Sequence, residues 1–351
     1  MKNTNSKKNK MINNMEFNDK YDLQKAKNLF FLSDSELLEY TNHTEYDDDE
    51  NHKYIKIIKN SLHQILLNNK SENKIIYQVK DCNRLYSKDK TSLQYFSNNI
   101  LHYILPDNSY EVDMRNCNPQ ILLYLFKKHN LNHSNLEYYC NNRDNLLKNS
   151  YITKNYVLKQ FNIDNSHTTT HKMEWLNHLL QEINNNKAIL FTLEQDKIKK
   201  SYIENKKKNS HNFLSSMICS IIWYYENDIL MKATKKYNCI VPRFDGFYTD
   251  DPNVDLDELN QITKEYNIIW AKKNITKQIN IKDNFNDIND LLYDIKSHKY
   301  NDVEYYFNKK HFKIVNNGTF IRKNSEIEIE LLTTKAIMES YKHLHYEVWN
   351  E

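Results

Sequence analysis

Glycine is nearly missing from this chain, whose 351 residues hold two, Gly246 and Gly318. A phosphate-cradling loop of the GxxxxGK[ST] type needs two nearby glycines, so that mode of nucleotide binding is excluded. Most turns must then be made by asparagine and aspartate. Proline is almost as scarce, with four, and Pro106, Pro119 and Pro242 fall before, within or at the start of the two segments that matter most below. The five cysteines (Cys82, Cys117, Cys140, Cys219 and Cys239) form no CxxC pair. Their odd number and spacing argue against a disulfide framework or a zinc ribbon, and for a reducing compartment. No apolar run is long enough to span a bilayer, and the opening "MKNTNSKKNKMINN" has no apolar core like that of a secretory signal. The expected setting is inside a cell, in cytoplasm or nucleus, not secreted and with no membrane partner. A dominant charge is missing too: 49 basic and 46 acidic residues leave a net charge of +3. Any nucleic-acid site must therefore be a local patch, not a global field.

What is present is a foldable composition. Hydrophobic residues make up 39% of the chain and tyrosine is abundant, enough to build a core. The excess of asparagine, lysine, isoleucine and tyrosine matches an AT-rich coding sequence, against which each retained glycine or proline marks a backbone requirement. Residues 1–20 read as a disordered basic tail. From 21 to 80 the reading is mainly helical, in "DKYDLQKAKNLFFLSDSELLEY" and "YIKIIKNSLHQILLNN", with the acidic "TEYDDDENH" as a solvated loop between them. "KIIYQVKDCNRLYS" reads as strand and turn, and "SYEVDMRNCNPQILLYLFKKHN" as a strand that turns at Pro119 into a helix. From about 135 to 235 the chain is mostly helical, and "HNFLSSMICSIIWYYENDILMKATKKY" is apolar almost all round, as a buried helix would be. "IVPRF" and "FYTDD" follow as two strands, and a mixed segment closes the chain from 256 to 351. The fold class is α+β, helices gathered around a small antiparallel sheet.

Asp245-Gly246 lies between two β-prone runs, the strongest short hairpin signal, because a type I′ turn needs positive φ at both central residues. On that ground alone Gly246 is a structural turn residue. The strand before it, "CIVPRF", is apolar enough to be central, and an aspartate beside it is costly to bury unless paired or bound to a cation. Asp113, leaving the strand "SYEV", is a second such aspartate, whose plain alternative is a helix cap. Two strand-end aspartates brought together can hold magnesium, which prefers oxygen ligands and bridges phosphate oxygens. The sequence does not itself place them side by side.

In chain order, "NRLYSKDKTSLQ" (83–94), "VDMRNCNPQIL" (112–122), "NSHNFLSSMI" (209–218) and "PRFDGF" (242–247) resemble the ordered motifs of family A DNA polymerases and of single-subunit, phage-type RNA polymerases. The closer resemblance is to the divergent transposon/virus polymerase family (TV-Pol), with a motif of type D-x-x-N-x-H-P-x-I-L and Asp-Gly in place of Asp-Glu. Asn118 stands where that family usually has histidine. The resemblance covers residues 81–255 and implies a small antiparallel palm sheet with a large helical fingers region, preceded by a helical, thumb-like segment over 21–80. It implies a template-dependent nucleotidyltransferase, a DNA polymerase of a virus or mobile element. Its partners would be a DNA primer–template, with RNA as the alternative, and dNTPs or rNTPs. Two Mg²⁺ ions, or Mn²⁺ in their place, would serve as cofactors.

The roles carry over residue by residue. Asp113 and Asp245 would be the catalytic metal ligands, with the Met114 carbonyl as a further metal contact. Arg84 and Gln94 match positions that touch primer or template, and Asn209 matches a palm-helix residue near the templating pair. The fingers would run from Tyr124 to about Glu204. Their triphosphate-binding helix should present a lysine, and "SYITKNYVLKQFN" offers Lys154 and Lys159. Lys154 is preferred because Leu158 and Phe161 then fall on the adjoining apolar face. The family's arginine four residues earlier is replaced by Ser150, which leaves Arg143 as the substitute. Asn118 occupies the position that packs under the incoming sugar, held by the rigid Pro119. Being shorter than glutamate and uncharged, it leaves room for a 2′ hydroxyl.

Less weight falls on His167 and His171, four apart but without a partner carboxylate or cysteine. The basic stretch 197–208 suits a nucleic-acid path or a solvated helix face equally. "YYFNKKHFKIVNNGTFIR" is similar to the segment joining such polymerases to a superfamily-3 helicase; the chain ends before any helicase could begin, as a fragment or a shorter relative would, and the resemblance adds a helicase to the expected partners. Two rivals stay open: a primase-like polymerase making short RNA, and an inactive palm that only binds nucleic acid.

Overall fold

The computed structural model describes residues 14–41, 48–88, 91–164, 171–276, 279 and 281, together with four strands between 304 and 330. Gly318 and His167 lie outside the described residues. The protein mixes helix with small antiparallel sheets and divides into two compact units. No described helix is long and apolar enough to cross a membrane.

The first unit takes in Lys20 and the strand before it, Glu72–Gln94 and Pro106–Ile275. Strand β1 (Asn14–Lys20) pairs antiparallel with β2 (Glu72–Val79), which pairs with β3 (Leu85–Ser87). The disordered tail expected through residue 20 is therefore corrected for Asn14–Lys20. Along β1, Met15 and Phe17 pack against the core while Asp19 is 1% exposed, and that alternation supplies the half-buried face a strand needs. The tight turn after β2 has Asn83 at φ 66, a left-handed value that asparagine tolerates better than most residues.

A second sheet has the order β5-β6-β4-β7, with β4 (Tyr110–Met114) between β6 (Gly246–Thr249) and β7 (Trp270–Asn274), and β5 (Val241–Arg243) at one edge. Its inner face is apolar: Val112, Met114, Phe247 and Trp270 join the core. Against that core lie α5 (Cys117–Lys128) and α10 (Phe213–Thr234), with α6 (Ser134–Ser150), α7 (Lys154–Phe161), α8 (Glu174–Glu194) and α9 (Lys200–Asn209) between them in the chain. Helix α10 buries residues on every side, including Met217, Ile221, Ile229 and Leu230, as its apolar sequence implies. A short helix, α11 (Leu256–Ile262), precedes β7 and is capped by Asp255, which accepts from the backbone N–H groups of Asp257 and Glu258.

The turn between β4 and α5 differs from the expectation at Pro119. The chain turns at Asn116, whose φ is 54, and Pro119 sits inside the first turn of α5. The first helical amides have no intrahelical partner, so a proline there forfeits nothing.

The second unit holds Tyr21–Ser71, Tyr95–Leu105 and the chain from Thr276 onward. Helix α1 (Leu23–Phe31) is capped by Asp22, α2 (Asp34–Glu39) by a Ser33–Glu36 capping box, and α3 (Asp48–Asn68) and α4 (Asn98–Ile104) complete the helical part. The acidic segment expected as a loop is helical from Asp48, because carboxylates in a first turn complement the positive end of the helix. Lys59 of α3 is buried and donates to the carbonyls of Phe30 and Leu32 at the open end of α1. Burial pulls its ammonium down to about 8. Farther along, β8 (Glu304–Phe307), β9 (Lys310–Val315), β10 (Thr319–Arg322) and β11 (Glu328–Glu330) form an antiparallel meander, which covers the segment compared above with a helicase linker.

Candidate functional site

Strand register brings the two aspartates together. Asp113 pairs with Gly246 across β4 and β6, and the Met114 N–H donates to the Asp245 carbonyl at 2.9 Å. Period-2 alternation then turns Glu111 and Asp113 to the face opposite the core, while Tyr110, Val112 and Met114 turn inward. Across the other edge of β4, Glu111 pairs with Lys273 of β7. The Lys273 ammonium donates to Asp113 Oδ2 and stands 3.7 Å from Glu111. Burial works against that ammonium. Its bond to Asp113 and the charges of Asp113, Glu111 and Asp245 outweigh the burial and raise it above the ordinary lysine value.

The hairpin carrying Asp245 corrects the expected role of Gly246. Arg243 pairs with Gly246, so the two tip residues are Phe244 and Asp245, and of these only Phe244 has positive φ, at 51. Gly246 is the first residue of β6 and is needed for space. A Cβ there would lie 2.5 Å from the Val112 carbonyl oxygen, 3.1 Å from Asp113 Cα and 3.3 Å from Asp113 Oδ1. The missing side chain lets β6 close on β4 and leaves the Asp113 carboxylate its room. The positive φ falls instead on a bulky aromatic, which costs on the order of 1–3 kcal/mol and persists only if its surroundings enforce it.

Electrostatically the pair is under-served. Burial, then the neighbouring Asp113 charge, raises the Asp245 carboxyl, against its own backbone N–H and the charges of Lys154 and Lys273. Glu111 is raised by burial and by both aspartates. Two carboxylates that repel each other and draw in a lysine form an anionic, oxygen-rich donor set that suits a magnesium ion. The residues present therefore fit the implied metal, with Asp113 and Asp245 as the ligands. Among the described residues no group of three or more His, Cys, Asp or Glu side chains forms a metal cluster, so waters or substrate oxygens would complete the coordination.

The other expected site residues separate. Lys154 opens α7 behind the capping Thr153, and its charge reaches Asp245 and Cys117. Lys159 lies in the last turn of the same helix. Asn118 lines a cleft with Leu122, Leu158, Phe161, Lys187 and Trp223, so α5 and α7 share one wall of it, and neither Asp113 nor Asp245 lines that cleft. Arg143 on α6 reaches Asn116 Oδ1 at 3.4 Å and also pairs with Asp144. Asn209 ends α9.

Gln94 is corrected. It is buried, its Oε1 accepts from the Ser87 N–H, and its Nε2 donates to the carbonyls of Leu85 and Pro242. It ties β3 to β5 and has no amide proton left for a nucleic acid. Arg84 is also engaged within the fold: its guanidinium lies 3.7 Å from the centroid of Phe244 and 4.8 Å from that of Trp223, with Nε 4.0 Å from Glu226. His171 Nδ1 meets the Tyr156 hydroxyl at 3.0 Å.

Three groups escaped the sequence reading. Glu226 sits in α10 with its side chain 1% exposed. Burial, with the charges of Asp245 and Asp113 and against that of Arg84, lifts its carboxyl to about 8. A lone glutamate within "SIIWYYENDIL" was the available signal. Lys273 lies in an unremarkable "AKKN", where nothing local marks it. Lys187 is buried in α8, donates to the Ile163 carbonyl and to Ser215 Oγ, and is lowered to about 8 by burial.

No protein-family model matches this chain, and no curated protein does. The case for function therefore rests on the site and on the motifs.

Proposed function

We propose that the protein is a template-dependent nucleotidyltransferase, a DNA polymerase of a virus or mobile element. In this reading the β5-β6-β4-β7 sheet is the palm, α6 to α9 are the fingers, and α1 to α3 are the thumb-like segment. The single observation that carries it is the strand register, with Asp113 opposite Gly246 and the Met114 N–H on the Asp245 carbonyl, which brings the two aspartates next to each other at the hairpin tip. Asp113 and Asp245 would hold Mg²⁺, or Mn²⁺ in its place, and the metal would supply charge neutralisation at a triphosphate and activation of a 3′ hydroxyl. The chain's own contribution is placement. Lys154, whose charge is felt at Asp245, would supply positive charge for phosphates, and Asn118 in the cleft wall would meet a sugar without excluding its 2′ hydroxyl. Phosphoryl transfer depends mainly on positioning and charge stabilisation, so these few groups suffice as a minimal site.

The test is primer extension with Mg²⁺, comparing dNTPs and rNTPs on DNA and RNA templates. Template-directed products that disappear in Asp113→Ala and Asp245→Ala support the reading, and absence of product on every template and nucleotide overturns it. Short RNA made without a primer would identify the primase-like alternative. One observation favours a second reading, an inactive scaffold: Lys273 already satisfies Asp113 without a metal. A scaffold would bind primer–template equally well in EDTA and extend nothing.

A further inference from the structure

Arg84, Phe244, Trp223 and Glu226 come from three separate chain segments and meet behind the hairpin tip that carries Asp245. Arg84 is placed with care. Its backbone carbonyl accepts from the Lys80 N–H at 2.9 Å, closing the turn between β2 and β3. The turn is pinned to α10, because Asn83 Nδ2 donates to the Ser220 carbonyl at 3.1 Å, Asn227 Nδ2 donates to the Asn83 carbonyl, and Ser220 Oγ donates to the Cys82 carbonyl at 3.1 Å. Trp223 and Glu226 lie one turn apart on α10, so one helix face supplies both an aromatic wall and a carboxyl for Arg84. Tyr86 of β3 meets the Phe244 ring edge-on at 5.6 Å.

The two tip residues share one turn. Phe244 is the residue with φ 51, and Asp245 follows it directly. A bulky residue stays in the left-handed region only when its side chain is held there. The closest charged group to its ring is the Arg84 guanidinium, stacked at 3.7 Å. The atoms Arg84 Nε and Glu226 Oε1 are buried without a hydrogen-bond partner, so neither is spent on a contact other than this cluster.

We infer that Arg84 is a positioning residue that fixes Asp245: stacked on Phe244 and backed by Trp223 and Glu226, it holds the strained hairpin tip so that the Asp245 carboxylate stays beside Asp113. This rests on the reading that the aspartate pair takes a divalent cation, and it differs from the family resemblance, which makes Arg84 a contact to primer or template. It also accounts for the aromatic residue at a position where glycine or asparagine would be unstrained. Phe244 is the handle by which a distant segment holds the turn.

The experiment uses the full chain and Mn²⁺ alone, with bound ion followed by electron paramagnetic resonance, thermal unfolding recorded for each variant, and binding of a labelled primer–template in EDTA measured in parallel. Arg84→Lys keeps the charge but loses the planar stack, and should weaken Mn²⁺ binding on the order of 10-fold with primer–template binding little changed. Phe244→Gly removes the ring and accepts positive φ, so in that background Arg84→Lys should have no further effect on Mn²⁺ affinity. If Arg84→Lys folds and binds Mn²⁺ as the wild type does, the inference is overturned while the metal reading stands. Loss of primer–template binding with unchanged Mn²⁺ affinity overturns it in favour of the direct nucleic-acid role. Should Arg84→Lys not fold, Phe244→Leu, which keeps the volume and removes the aromatic face, must lower Mn²⁺ affinity, and normal affinity there also overturns the inference. Wild-type protein that binds no Mn²⁺, indistinguishable from Asp113→Asn, defeats the metal reading itself and the inference with it.

Discussion

Asp19, buried, and Asp245, half-buried, both belong to the first unit, and burial raises the carboxyl of each, yet their surroundings are opposites. Asp19 accepts from the Tyr77 hydroxyl at 3.2 Å, the Ser92 hydroxyl at 2.9 Å and the Leu93 N–H at 2.8 Å. Even so, burial outweighs these donors and lifts it to about 7. Every demand it makes is met from within the fold, and it holds β1 and β2 to the segment after β3. Asp245 has its own backbone N–H, a repelling neighbour in Asp113, and lysine charges at its margin. A carboxylate met by three donors within the fold acts as a brace, whereas a repelling pair at a hairpin tip, with only Asp113 paired to a lysine, is a candidate site.

The sharpest way to break that comparison is to remove each carboxylate in turn. Asp113→Ala and Asp245→Asn should reduce primer extension by on the order of 10³-fold or more. Neither should lower Tm, since each relieves a like-charge repulsion. Asp19→Ala should do the reverse, losing about 1–3 kcal/mol of stability with extension by the folded fraction unchanged. Urea titrations paired with extension assays separate the two patterns, and a strongly destabilised Asp245→Asn would place Asp245 with Asp19 as a brace.

Gly246 comes next. Because a Cβ would meet the Val112 carbonyl, even Gly246→Ala should destabilise, by roughly 1–3 kcal/mol, and Gly246→Val by more. A glycine needed only for positive φ would tolerate a D-alanine introduced by semisynthesis, whereas one needed for space at an extended φ should not. Thermal unfolding of the two variants is the readout.

A third prediction concerns pH. The Glu226 carboxyl lies near 8 in the folded protein and near its ordinary value of 4.5 when unfolded. The folded state therefore holds a proton that the unfolded state has released. The stability this proton confers is complete below about pH 4.5 and is lost as pH rises toward 8. Asp19, raised to about 7, adds a loss of the same sign. The difference in Tm between wild type and Glu226→Gln should therefore grow from pH 5 to pH 8, by an amount equivalent to about a few kcal/mol. A constant difference would mean that Glu226 is ionised throughout.

Smaller effects sharpen the site. Asn118→Glu should shift incorporation toward dNTPs by roughly 10-fold in competition assays, and no shift would remove Asn118 from the sugar contact. Lys273→Met removes the ammonium that a cation must displace from Asp113, and should change Mn²⁺ affinity by only a few-fold, in the direction of tighter binding. Weaker binding would show that the lysine orients Asp113 more than it competes for it.

Much of the local structure was legible in the residues. The all-round apolar character of 213–234, the strand before Asp113 and the strands on either side of Asp245-Gly246 each depend on near neighbours, and each element is present where the pattern put it. Asp113 and Asp245 were legible as costly aspartates at strand ends. The errors were also local in kind. The strand pattern of 14–20 was hidden within a lysine- and asparagine-rich stretch, and a familiar Asp-Gly signal assigned the positive φ one residue too late.

Only the tertiary structure could decide the rest, because strand register and helix packing join residues with no sequence relation. Lys273 reaches Asp113 across 160 positions. Gln94 is committed to Pro242, Arg84 to Phe244, and Glu226 is buried on α10 while feeling the charges of Asp113 and Asp245 on other elements. The sequence by itself determined the helix of 213–234, the strands flanking Asp113 and Asp245, and which two aspartates would be expensive to bury. The pairing of β4 with β6 and β7 decided that those aspartates lie next to each other and that Asp113 meets a lysine, since burial and charge act through space, between residues that chain order alone does not bring together.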